Sequence, residues 1–338
     1  MQRPYAVLLV LAPLFAPSVL RAHQPAASPA DQYDQLRSAT QLDRKGAQPF
    51  HLKIAAQVYD LEGGRAKPAT IEAWWAAPDD YRIEINSGPL HEVTATGELE
   101  SPPKPTRAGY LLSQLYDAAV HPLLQFPSGK EVTEANRTFG KTELACFQPH
   151  LLARSIPDAG SATVCTEPGT NTLRIVIHDV QVMVRNPIAG IAPTNSAVST
   201  TISYFGREAV GGTITTLEPF TPGAPGTPAL QPNLPKASAN PGTAHVSNAV
   251  LAGKLIKSVD PDYPEEARLQ HIGGTVLLHA IITTQGAIGS VIVFASTSPL
   301  LSQAALAAVR QWRYQPYLLN GQPTSVDTTI QVNFNLNP

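Results

Sequence analysis

A proline-rich stretch divides this chain into two parts. Seven prolines, the first Pro219 and the last Pro241, are separated mostly by glycine, alanine, threonine and asparagine. Such a composition buries too little apolar surface to fold and favours extended polyproline II backbone. The sequence therefore predicts a linker over residues 221–250, between one folded domain over 31–220 and another over 251–338.

Helical signals open the second domain. Pro264 suits the first position of a helix, where its missing N–H needs no partner, and the two glutamates after it favour the positive end of the helix dipole. The glycine pair at 273–274 predicts the end of this helix. A second helix is predicted to begin at Ser298 and Pro299 and to stop at Pro316, with its apolar residues on one face.

Strand signals fill the rest of this domain. Apolar and polar residues alternate over residues 275–283, and His279 falls on the polar face, where we expect a solvated side chain. A turn at Gln285 and Gly286 returns the chain over 288–294 as a hairpin. The last residues alternate again and predict a half-buried strand: Ile330, Gln331, Val332, Asn333, Phe334 and Asn335. Two helices on a three-stranded antiparallel sheet would form a small α+β domain.

The order of these motifs resembles the C-terminal domain of TonB, the periplasmic energy transducer. The resemblance covers residues 254–338, about a quarter of the chain. Its motif residues include Tyr263, Pro264, Gly274, Trp312 and Pro316. The resemblance implies a non-enzymatic protein of the periplasm that acts in transmembrane transport.

The resemblance also implies partners. In TonB the closing strand pairs with the TonB box of outer-membrane transporters, which implies that role for residues 330–335, and inner-membrane motor proteins supply the energy. An edge strand does offer unpaired N–H and C=O groups to an added strand. Asn, Gln and Thr side chains on its exposed face could equally serve to keep the edge soluble, so both interpretations stay open.

Short alternating segments separated by turns predict antiparallel hairpins in the first domain. The predicted strands cover residues 50–58, 71–75, 81–85, 142–147, 173–184, 199–205 and 212–217, and the predicted helices cover 31–44 and 111–120. Hairpins in succession favour a curved antiparallel sheet over a βαβ fold. The whole chain is therefore expected to belong to the α+β class.

The strand–turn–strand segment containing Trp74, Trp75, Pro78, Tyr81 and Arg82 resembles the lipoprotein carriers of the LolA and LolB type. Those proteins wrap a curved sheet around helices and hold lipid chains. The resemblance implies an apolar ligand inside this domain, and a soluble periplasmic binding module is the alternative function. The simpler interpretation is an ordinary sheet core in which the two tryptophans pack.

Cys146 and Cys165 are the two cysteines of the chain. They fall near the ends of strand-like segments with a polar loop between them. Neither belongs to a C-x-x-C motif or has an evident paired histidine, so a redox or catalytic role is not indicated. One structural disulfide in an oxidising compartment is the prediction.

The first 22 residues carry Arg3 and a short apolar run broken by Pro13 and Pro17. A membrane span needs about 20 apolar residues. The pattern is typical of a signal peptide cleaved after Ser18 or Ala22. An uncleaved inner-membrane anchor is the alternative.

Charge and motifs argue against several other functions. A net charge of −2 and a pI near 6.5 do not favour nucleic acid as a partner. Zinc-binding histidine spacings, a nucleophile elbow, a phosphate loop and a dinucleotide fingerprint are missing from the sequence. The carboxylates around Asp260 and Glu266 are explained by a helix start. We therefore expect no enzyme activity, metal or cofactor.

Overall fold

The structure is a computed structural model that describes residues 27–95, 105–124, 126, 131–149, 162–170, 172–186, 199–230, 244–245 and 253–336. The predicted signal peptide and most of the predicted linker lie outside these residues. Within the described ranges, no helix is both long and apolar enough to cross a bilayer.

A large antiparallel sheet forms the N-terminal region. Its helices are α1 (Pro29–Thr40) and α2 (Arg107–Val120). Its strands are β1 (Phe50–Tyr59), β2 (Ala66–Ala77), β3 (Asp80–Ser87), β4 (Leu90–Ala95), β5 (Val132–Phe139), β6 (Thr142–Pro149), β7 (Thr163–Thr166), β8 (Leu173–His178), β9 (Gln181–Asn186), β10 (Ser199–Tyr204) and β11 (Arg207–Pro219). They form one sheet in the order β4-β3-β2-β1-β11-β10-β9-β8-β7-β6-β5. The curved antiparallel sheet expected from the hairpins is thus confirmed.

The core of this region includes the interface between the sheet and α2. Leu111 and Leu115 on α2 are fully buried, and Ile54 on β1 faces them. At Gly212 on β11 an added Cβ atom would lie 2.7 Å from methyl groups of both Ile54 and Leu115. Helix and sheet can approach this closely because the residue between them has no side chain.

Trp74 and Trp75 lie on opposite faces of β2, as successive strand residues must. Trp75 stacks on Phe50 in the core, with ring centroids 5.4 Å apart. Trp74 stacks on His51 on the other face, at 5.0 Å. Both rings are almost fully buried, which agrees with the simpler packing interpretation.

Several predicted boundaries in this region were wrong. The single strand expected over residues 173–184 is two strands, β8 and β9, because Asp179 takes a left-handed backbone (φ 53°) and turns the chain. Strand β5 was not predicted, since its side chains are mostly polar and exposed. Residues 221–230, expected in the extended linker, form successive turns, and Leu230 is buried.

The C-terminal region contains helices α3 (Glu265–Leu269) and α4 (Pro299–Val309). Its strands, together with one short strand before it, are β12 (Ala244–His245), β13 (Leu255–Lys257), β14 (Gly274–Ile282), β15 (Ile288–Ser296), β16 (Arg313–Tyr314), β17 (Leu318–Leu319), β18 (Gln322–Pro323) and β19 (Val326–Phe334). The main sheet has the order β12-β19-β14-β15. The three predicted antiparallel strands are present, and the short parallel strand β12 is an addition.

The helix ends differ from the prediction. Pro264 is the N-cap of α3 rather than its first helical residue. The left-handed residue after α3 is His271 (φ 54°), not a glycine. Helix α4 ends at Val309, well before Pro316, because Arg313 and Tyr314 pair as strand β16 with β13.

The two regions pack directly against each other. Helices α3 and α4 pack on one face of the C-terminal sheet. On the other face, the side chains of Leu277, Phe294 and Ala295 belong to the core of the N-terminal region. His279 lies on this second face and is 5% exposed. The prediction of a solvated His279 was therefore wrong, because a strand face that looks polar in sequence is covered by the other region.

Candidate functional site

The closing strand β19 lies beside β14 in a regular antiparallel register, with Val332 opposite Val276 and Ile330 opposite Leu278. On the other side of β19, the only strand among the described residues is β12, which pairs in parallel with Val326 and Asp327. The remainder of β19 is the candidate site, and we call it the β19 edge (residues 328–334).

The register determines which backbone groups point outward at this edge. The Thr275 carbonyl oxygen accepts a hydrogen bond from the Thr297 amide, so Thr275 directs its backbone groups away from β19. Backbone groups alternate in direction along an antiparallel strand. Val276 therefore faces β19, and its partner Val332 faces β14. It follows that Thr329, Gln331 and Asn333 direct their N–H and C=O groups outward.

The side chains of the β19 edge divide by face. Ile330, Val332 and Phe334 are buried in the core under α3 and α4, whereas Gln331 and Asn333 are exposed. The Asn333 side-chain oxygen accepts hydrogen bonds from the Thr275 hydroxyl (2.9 Å) and the Gln331 amide (3.1 Å). Asn335, the last residue of the predicted strand, lies just beyond β19.

The opposite edge of the sheet, at β15, is partly capped by arginines from the N-terminal region. The Arg107 Nε group donates to the Phe294 carbonyl (2.9 Å), and the same guanidinium bonds the carbonyl oxygens of Tyr59 and Asp60. Arg207 donates to the Ser296 carbonyl (3.3 Å) and to the carbonyl of Thr297, the residue after β15 (3.0 Å). Nothing in the sequence pattern marked these arginines, since their partners are backbone atoms far along the chain.

The motif residues Tyr263, Trp312 and Gly274 secure the sheet to its surroundings. The Tyr263 hydroxyl donates to the Ile272 carbonyl (2.7 Å), and its ring meets the Phe334 ring edge-on. The Trp312 indole donates to the Val259 carbonyl (2.9 Å). Gly274 has φ 141°, and an added Cβ atom would lie 2.0 Å from the Thr297 hydroxyl, so only glycine fits there. Pro316 is exposed beyond β16.

The cysteines and a half-buried histidine of the N-terminal region form structural contacts. A disulfide joins Cys146 to Cys165, which lie directly opposite each other on β6 and β7. His121 at the end of α2 contacts the carboxylates of Asp43 (2.9 Å) and Asp117 (3.1 Å). Across the described ranges, no three His, Cys, Asp or Glu side chains are grouped as a metal site would require.

Comparison with known proteins finds a family match within the C-terminal region. Residues 259–336 match the family model described as Gram-negative bacterial TonB protein C-terminal. This region is similar to a TonB C-terminal domain. Protein TonB of Vibrio cholerae serotype O1 is 33% identical over 114 residues, which is 32% of this chain and 46% of that protein. The chain thus matches less than half the length of that TonB relative.

Solved structures resemble each region separately. The solution structure of the Pseudomonas aeruginosa TonB C-terminal domain is 26% identical, with a TM-score of 0.23, over 25% of this chain and 87% of that one. The crystal structure of a LolA superfamily protein from Nitrosomonas europaea is 6% identical, with a TM-score of 0.35, over 56% of this chain and 93% of that one.

Proposed function

We propose that this protein is a TonB-like component of the bacterial periplasm that docks onto outer-membrane transporters. The docking step is the addition of the transporter's TonB box as a strand along the β19 edge. The observation that supports the proposal is the outward direction of the Thr329, Gln331 and Asn333 backbone groups, on an edge of the region that matches the TonB C-terminal family model. Backbone pairing would supply affinity, and alternate side chains would supply specificity.

The arrangement of the sheet favours this edge over the other. At β15, Arg107 and Arg207 occupy the carbonyl groups of Phe294 and Ser296, which an added strand would need. At β19, the short strand β12 already pairs in parallel with the first two residues. The β19 side therefore accepts a strand from outside the domain, and residues 328–334 extend the same surface.

Energy transduction would add a second requirement to docking. Inner-membrane motor proteins would have to act on a segment that stays in that membrane, and the candidate segment is residues 1–22. Strand addition at the β19 edge is independent of this requirement. We therefore place docking first and transduction as its extension.

The alternative, an apolar ligand held by the N-terminal region, has less support. The apolar side chains of α2 fill the space against the sheet, and Leu111, Leu112 and Leu115 are fully buried. A lipid chain in that position would have to displace α2. We assign no catalytic role to either region.

The docking proposal is tested by substitutions at Gln331. Q331P removes an outward N–H group without removing a bond to β14, because the exposed Gln331 backbone faces away from that strand. Q331A is the matched control, since it removes the side chain and keeps the N–H. Each variant is titrated by calorimetry with a synthetic TonB-box peptide of an outer-membrane transporter.

We expect Q331P to weaken peptide binding at least tenfold, while Q331A binds within about twofold of the wild type. One hydrogen bond contributes roughly 0.5–1.5 kcal/mol, and proline also clashes with the incoming strand. Thermal unfolding of both variants checks that the domain is intact. Wild-type affinity in a folded Q331P protein would overturn the proposal.

A further inference from the structure

Helix α2 of the N-terminal region reaches across the C-terminal sheet as far as its edge strand. The Tyr110 ring stacks on His279, with centroids 4.3 Å apart, and meets Phe294 at 4.8 Å. His279 is the register partner of Thr329 on β19. Burial raises the pKa of Tyr110 to about 12, and the nearby Thr329 side chain acts in the opposite direction. Tyr110 of α2 therefore lies beside the β19 edge, on the strand residue that neighbours Thr329.

A polar network holds Tyr110 in this position. The Gln114 amide nitrogen donates to the Tyr110 hydroxyl oxygen at 2.8 Å. The Gln114 amide oxygen accepts from the Tyr204 hydroxyl (2.5 Å) and from the Gln181 side chain (3.3 Å). These partners come from α2, β9 and β10, so the network is anchored in the large sheet.

An added strand would come within reach of this network. Strands in a sheet lie about 4.8 Å apart, and side chains directly opposite each other have Cβ atoms about 5 Å apart. The side chain of the added strand beside Thr329 would thus stand next to the Tyr110 hydroxyl. Further along, Gln331 and Asn333 are exposed on the same face, where α2 does not cover them.

We propose that α2 forms a second wall of the β19 edge, that Tyr110 is a specificity-determining residue for the added strand, and that Gln114 is the residue that positions Tyr110. The Tyr110 hydroxyl at this wall favours a peptide whose side chain beside Thr329 carries a hydroxyl or amide group. This inference rests on the proposed function and extends it, because it makes the N-terminal region part of the recognition site.

The test uses the full chain and a TonB-box peptide in calorimetric titrations. Y110F removes the hydroxyl and keeps the ring that stacks on His279 and Phe294. Y33F is the matched control, because the buried Tyr33 hydroxyl has no hydrogen-bond partner among the described residues. Q114A removes the amide that holds the Tyr110 hydroxyl and gives an independent variant. Thermal unfolding confirms that each protein is folded.

We expect Y110F and Q114A each to weaken binding about three- to tenfold, in keeping with the loss of one hydrogen bond, while Y33F binds like the wild type. A scan of single alanine substitutions along the peptide should find one polar position that matters to the wild type and not to Y110F. Wild-type affinity in both wall variants would refute the second wall.

The Q331P variant separates this outcome from failure of the proposed function. If Q331P loses binding while Y110F and Q114A keep it, strand addition stands and the second wall is wrong. If Q331P binds as tightly as the wild type, the proposed edge itself is wrong, and the inference falls with it.

Discussion

His121, at the end of α2, forms ion pairs that connect this helix to the segment after α1. Its imidazole contacts Asp43 through Nδ1 (2.9 Å) and Asp117 through Nε2 (3.1 Å). The Leu42 amide donates to the Val120 carbonyl beside it (2.8 Å). Burial alone would lower the pKa of His121, but the hydrogen bonds to Asp117 and Asp43 outweigh it and raise the pKa from 6.5 to about 9.

This shift makes the stability of the N-terminal region depend on pH. The pKa is higher in the folded than in the unfolded chain, so the stabilisation is fully present below pH 6.5 and is lost as the pH rises through about 9. Between these values the free energy of unfolding should fall by about 1.4 kcal/mol per pH unit, or roughly 3 kcal/mol in all. Because the Asp117 side chain is 58% exposed, solvent screening should reduce the observed loss to about 2 kcal/mol.

Urea unfolding followed by circular dichroism at pH 6, 7, 8 and 9.5 measures this loss. His121→Gln removes the ionisable group, so the wild type should lose about 2 kcal/mol more than the variant over this range. His91→Gln is the control, because His91 contacts the neutral amide of Asn86. Parallel pH profiles for the wild type and the His121 variant would refute a stabilising role of the His121 ion pairs.

Three further predictions concern other parts of the chain. Replacing Cys146 and Cys165 together with serine should lower the free energy of unfolding by roughly 3 kcal/mol in the chain-entropy model, measured by urea unfolding. Gly212→Ala should cost roughly 1–3 kcal/mol, because its Cβ would lie 2.7 Å from Ile54 and Leu115. The adjacent Gly211→Ala, whose nearest contact is 3.5 Å away, should cost clearly less. The intact mass of the native protein should correspond to a chain that begins at Val19 or His23, and a full-length chain in the membrane fraction would instead favour energy transduction.

Strong local periodicity explains what the sequence could predict. The alternation in β1 and β19 and the apolar stripe of α2 each reflect one element packed on one core, so the pattern is complete within the segment. Strand β5 lacked such a pattern because its side chains are mostly exposed. The turn at Asp179 was missed because a left-handed backbone at a residue other than glycine has a weak sequence signal.

The candidate site was predictable in position but not in its surroundings. The residues of the closing strand could be named from their alternation. Whether that strand lies at an edge depends on the order of strands in the sheet, and the outward direction of Gln331 depends on its register with β14. The burial of His279 depends on contact with α2, from a different region of the chain. Segment patterns carry no information about such long-range contacts.

Contact between the two regions decides whether the linker has to extend for docking. If the C-terminal domain had to leave the N-terminal region to reach a partner, the Arg107 guanidinium would lose its bond to the Phe294 carbonyl, and the buried Leu277 and Phe294 would be exposed. A hydrogen bond from a charged group alone contributes about 1.5–3 kcal/mol. The capped edge, however, is β15, whereas the proposed binding edge is β19. Strand addition can therefore proceed with the two regions in contact, and the reach of the linker need not limit it.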